Sequence, residues 1–230
     1  MKRLICIFLM TVLLISLFPS AMAFGQAKTE AEIAFNTSNE AYNNINAAYT
    51  ITEDFSTKIY NAWKCGIEHQ KELSSLGLSH FAKDTGLPLE DVKLGMAFFM
   101  NPDWEDFTES RKELEADLSD SYFNLGCSVF KDDLFGFCVH LVRATYEVTG
   151  KIGEIDGYLA EAKQQMKSLS QKYSDYEHYP ALKGYYTTTT ALLEFCKEPT
   201  GSFELLKSTL NDYYNTARKY KNDVAFIFED

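Results

Sequence analysis

The side chains best equipped for metal or nucleophilic chemistry are four histidines, His69, His80, His140 and His178, and four of the five cysteines, Cys65, Cys127, Cys138 and Cys196, the fifth being Cys6 in the apolar N-terminal stretch. A zinc-class ion needs several imidazoles, thiolates or carboxylates converging on one point, and two ligands a helical turn apart supply part of such a set. Cys65 and His69 have that four-residue spacing, but two ligands do not make a site. Cys138 and His140, two apart, diverge by about 200° on a helix. Neither HExxH nor Glu-x-x-His occurs, and Asp175 with His178 is the nearest approach. The expectation is therefore no metal site and no cofactor.

The same residues offer no local catalytic arrangement. There is no G-x-S-x-G turn, no phosphate-cradling glycine loop and no EF-hand loop, so no catalytic residue is assigned. The neighbouring carboxylates Glu53-Asp54 and Asp132-Asp133 read as solvated charges near helix ends rather than as an acid–base pair. Outside the expected signal segment, which carries Cys6, the four remaining cysteines are an even number, and in an exported chain that suggests disulfides. With Lys131-Asp132-Asp133 as the tip of a helical hairpin, Cys127 and Cys138 lie at nearly equal distances from it and are expected to pair. Cys65 and Cys196 would then pair by elimination. The ordinary alternative is four buried thiols.

Export is inferred from the first 23 residues: Lys2 and Arg3, an apolar stretch from Leu4 to Phe18, then the small-residue site ending at Ala23, which is the expected cut. Residues 24–230 are expected to form one domain. With 46% hydrophobic and 14% aromatic residues this chain can bury a substantial core, which excludes general disorder. A net charge of −11 argues against nucleic acid as a partner, because phosphate binding relies on clustered Lys and Arg.

The elements that must position any site are helices. Apolar or small residues step by three and four through Ala34, Ser38, Ala41, Ile45, Ala48, Thr52, Phe55, Ile59, Ala62 and Gly66, predicting a helix over about 28–80. Breakers at Asp84–Pro88 and Asn101–Asp103 bound a short helix over 88–100, and 104–130 forms the next. The same stepping from Leu134 to Tyr173 predicts one helix over 133–175, in which Gly150, Gly153 and Gly157 share a face and suggest close approach of a neighbour. Shorter stripes follow at 182–196 and 203–227. The fold expected is all-α: an elongated antiparallel helical bundle with two long helices and several shorter ones, and 84–103 as a short helical insert between the long helices.

Two surface features suggest binding. Tyrosines crowd the final third, and Leu94–Met100 is a compact apolar run between two breakers. Leu94, Met96, Phe98, Phe99, Tyr185 and Tyr214 form the candidate interaction surface. The expected function is that of an exported, non-enzymatic helical binding protein, acting at the cell envelope or extracellularly on a protein or envelope component. Membrane contact and oligomerisation through helical faces stay open. The alternative is a membrane-active protein that resembles the α-helical pore-forming toxins in architecture only, with Leu94–Met100 as its apolar element. A secreted enzyme without a recognisable motif is the third reading.

Overall fold

The computed structural model describes residues 30–101, 103–173, 175–225 and 227–228 in full, and the backbone alone at 2–29 and 226. The expected signal segment and its cut after Ala23 lie outside the fully described residues. Among the described residues there are nine α-helices and no strand: α1 (Lys2–Glu68), α2 (Leu73–Thr85), α3 (Leu89–Met100), α4 (Glu109–Asp117), α5 (Ser119–Val129), α6 (Leu134–Val148), α7 (Lys151–Lys172), α8 (Tyr179–Lys197) and α9 (Phe203–Phe228). A single 3-10 turn spans Trp104–Asp106.

α1 is the axis of the bundle. Every member of its stripe from Ala34 to Gly66 is buried, and the two hydroxyls on it are satisfied by the helix itself: Ser38 donates to the Phe35 carbonyl at 2.8 Å and Thr52 to that of Ala48 at 2.7 Å. Side-chain pairs fix how the other helices run. Tyr146 of α6 bonds Asp54, and Gln165 of α7 bonds Asn44 at 3.1 Å, so α6 and α7 descend antiparallel to α1. α8 climbs back, from Tyr185 beside Asn46 to the Lys197 carbonyl beside Arg143. α9 descends again, with Phe203 stacked on Tyr60 and Phe228 against Phe35. The result is an up-down-up-down bundle, with α2–α5 inserted between its first and second legs.

The continuous helix expected over 133–175 is two helices, α6 and α7. Gly150 has φ 76°, a left-handed conformation that glycine adopts without steric cost and that ends α6. The buried stripe nevertheless runs on through Ile155, Leu159, Ala162, Met166 and Leu169, because both pieces pack against α1. The expected close contact at Gly153 and Gly157 is also corrected: both are exposed, and a Cβ on either would meet nothing within 4 Å.

The insert is larger than 84–103. α1 ends at Glu68, a turn over 69–72 reverses the chain, and α2 is kinked at Gly77 (φ 77°, ψ 175°). The helix expected over 104–130 divides into the 3-10 turn, α4 and α5: buried Trp104 anchors the turn, and Thr108 caps α4 by accepting the Arg111 N–H at 3.3 Å. Phe81, Phe99, Phe123, Phe130 and Phe137 form an aromatic cluster that seats the insert on α6.

Candidate metal centre

Where α1 turns into α2, the chain brings two imidazoles and a carboxylate to one point. His80 and Asp84 lie four apart on the segment of α2 beyond the Gly77 kink, so they share a face. His69 reaches them from the turn that follows α1, where its N–H still bonds the Cys65 carbonyl at 3.0 Å. His69 Nε2 and His80 Nε2 each lie 3.2 Å from Asp84 Oδ2, and the two nitrogens are 3.5 Å apart. The rings stand perpendicular. Glu72 Oε1 lies 3.2 Å from His69 Nδ1. All three converging side chains are partly buried, with exposures of 22% for His69, 30% for His80 and 29% for Asp84. They line a cavity of about 300 Å³ with Asn61, Lys64, Cys65 and Glu68.

These distances can be compared with a coordination sphere. Four ligands held tetrahedrally at about 2.0–2.1 Å from a zinc-class ion are about 3.3 Å from one another. The triangle of 3.2, 3.2 and 3.5 Å between these atoms has the edge lengths that three of the four ligands of such an ion would have. One corner is then left for a fourth ligand. Glu72 supports the arrangement from behind: were the His69 Nδ1 proton donated to its carboxylate, Nε2 would be left with a lone pair free for a cation. Two imidazole nitrogens and a carboxylate oxygen at this spacing repel one another unless positive charge, as protons or as a metal ion, lies among them.

Neither His80 with Asp84 nor the partnership of His69 with His80 emerged from the sequence. The usable signal was His-x-x-x-Asp on a helical face, a His placed eleven residues earlier and Gly77 between them to let the chain fold back. Among the described residues this is the one group of three such ligands that converges. Another cavity, about 340 Å³, lies across α3 and α6 and is lined by His140 and Arg143.

The cysteines do not pair as expected. All four are free and buried. Cys138 meets Cys65 of α1 rather than Cys127, and Cys127 stands near both. Burial pushes the Cys127 thiol up to about 11. The Cys138 thiol is held well above the ordinary range by its hydrogen bond with Cys65 and by burial, and burial likewise raises Cys196, which lies near Tyr146 and Tyr214.

The proposed interaction surface is largely occupied by the fold. Met96 and Tyr185 are fully buried, a correction with a plain cause: α3 packs its apolar side on α6, where Gly95 lies against Thr145, and Tyr185 fills the bundle between Tyr42 and Tyr49. Leu94, Phe98, Phe99 and Tyr214 are half-buried. Phe98 packs edge-on to Trp104, Phe99 lies among Phe130, Phe137 and His140, and the Tyr214 hydroxyl bonds Ser56 at 2.6 Å. No family model, curated protein or solved structure matches the chain.

Proposed function

We propose that the protein is an exported helical binding protein, non-enzymatic, whose ligand at the α1–α2 end is a zinc-class divalent cation held by His69, His80 and Asp84, with Glu72 orienting His69. The observation that supports this reading is the triangle of ligand atoms, whose edges match one face of a tetrahedral site. The signal-like N-terminus supports action outside the cytoplasm, at the envelope or beyond it, where a protein or envelope component is the further partner. The membrane-active alternative would need α3 to leave its seat, because Gly95, Met96 and Ala97 are buried there. Among the described residues no helix is long and apolar enough to cross a membrane.

Titration with Co²⁺, which reports its geometry in the visible spectrum, tests the reading. One ion per chain with tetrahedral absorption, displaced by Zn²⁺ and lost in His80→Ala and in Asp84→Asn, is the expected result. Binding weakens on acidification, since protons compete for both imidazoles. No uptake, or uptake that both variants leave intact, overturns it. The open fourth corner also suits a water molecule, as in hydrolytic zinc sites, and this favours one second reading, the secreted enzyme. Metal-dependent hydrolysis of an activated ester, abolished in His80→Ala, would replace the binding reading with that one.

A further inference from the structure

The α1–α6 crossing brings together two thiols that the metal reading leaves unused. α1 and α6 run antiparallel in a register set by the Asp54–Tyr146 hydrogen bond at one level and by Trp63 stacked on Phe135, ring centroids 5.2 Å apart, at another. Gly66 lets the two backbones approach so closely that a Cβ there would lie 2.5 Å from the Phe135 Cα. Cys65 precedes this contact on α1, and Cys138 lies one turn beyond Phe135 on α6. In this register they lie at the same level of the crossing, and Cys65 is the neighbour that acts most strongly on the Cys138 thiol. Cys127, nearby on α5, acts on it less, and Cys196 is elsewhere on α8.

We propose that Cys65 and Cys138 are a disulfide-forming pair, a modification site that ties the end of α1 to α6. Access is one-sided, because Cys65 lines the polar cavity while Cys138 has no exposed surface. The oxidant is an external disulfide, either a small molecule or the redox dithiol of an exporting compartment. The Cys65 thiolate attacks it, forming a mixed disulfide and releasing one external thiolate. Cys138, on losing its proton, attacks Cys65 Sγ and expels the second. Two protein thiols and one external disulfide thus become one protein disulfide and two external thiols, and the two protons leave with them. The inference rests on the helix crossing and holds whether or not a metal is bound.

Oxidised glutathione applied to the native protein is the probe. Thiols are then blocked under denaturing conditions, and unreduced peptides are identified by mass spectrometry. A Cys65–Cys138 linked peptide should dominate, with Cys127 and Cys196 blocked. The bridge should persist in Cys127→Ser, and Cys138→Ser should stall as a glutathione adduct on Cys65. A Cys127–Cys138 link, or four blocked thiols after oxidation, would overturn the proposal.

Discussion

Along α1 one helix meets two kinds of polar neighbour. Between Ser38 and Ser56 three of its polar groups close against neutral hydroxyls: Ser38 with that of Tyr176 at 2.6 Å, Asn46 with that of Tyr185 at 3.1 Å, and Ser56 with that of Tyr214 at 2.6 Å, while its carboxylates Glu53 and Asp54 accept from the tyrosines Tyr49 and Tyr146. The three neutral pairs satisfy hydrogen bonding without placing a charge in the core. At the far end His69 meets His80, Asp84 and Glu72 instead. A hydroxyl can serve as donor or acceptor as needed, so the first set is complete in itself. Unprotonated imidazole nitrogens and carboxylates only accept, so the second set is complete only with protons or a cation. The difference separates a part of the bundle built to stay shut from an end built to take something up.

Removing a large side chain from the shut half should have the greatest effect. Phe55 is fully buried and packs on Tyr146 with ring centroids 4.5 Å apart. Phe55→Ala should cost about 3–5 kcal/mol in denaturant unfolding while leaving Co²⁺ stoichiometry unchanged in the folded protein. A cost below about 1 kcal/mol would mean that this half is not the rigid core on which the comparison depends.

A second, smaller effect sharpens the contrast at the other end, where the thiols below the polar cavity are held neutral. The Cys127 thiol rises from 9.0 to about 11 because burial disfavours its anion. A raised folded value means that the stability it contributes is fully present below the unfolded value and is lost as pH climbs from about 9 to about 11. The loss is about 3 kcal/mol. Other buried thiols and tyrosines titrate in the same direction, so the informative quantity is the difference in slope between the native protein and Cys127→Ala. Equal slopes would show that Cys127 is as easily ionised folded as unfolded.

Periodicity made the shut half legible and the open end nearly invisible. The stripe from Ala34 to Gly66 is buried throughout, because a helix core is a repeated local pattern read directly from spacing. The stripe on α6 and α7 survived a break that its spacing did not disclose, since Gly150 needs only one left-handed residue to redirect the chain. The spacing of Cys65 and His69 shows that they share a face, yet their partners come from elsewhere: Cys138 across a helix crossing, His80 and Asp84 across a reversal of the chain. Such meetings depend on tertiary register, which no local pattern encodes. The apolar run at Leu94–Met100 was visible for the same local reason, but whether it faced water or α6 was not.

The smallest effect separates two uses of glycine that look alike in sequence. Gly157 lies inside α7, exposed, with nothing within 4 Å of where a Cβ would stand. Alanine there removes backbone freedom from the unfolded chain and adds no clash, so Gly157→Ala should stabilise the protein by up to about 1 kcal/mol. Gly66 is the opposite case, because its Cβ would press on the Phe135 backbone at 2.5 and 2.9 Å. Backbone cannot rotate aside as a side chain can, so Gly66→Ala should destabilise by about 1–3 kcal/mol. Thermal melts of the two variants should therefore move in opposite directions. A downward shift for Gly157→Ala would mean that α7 meets a neighbour on its open face, and an unchanged melt for Gly66→Ala would mean that α1 and α6 cross less tightly than the Cys65–Cys138 contact requires.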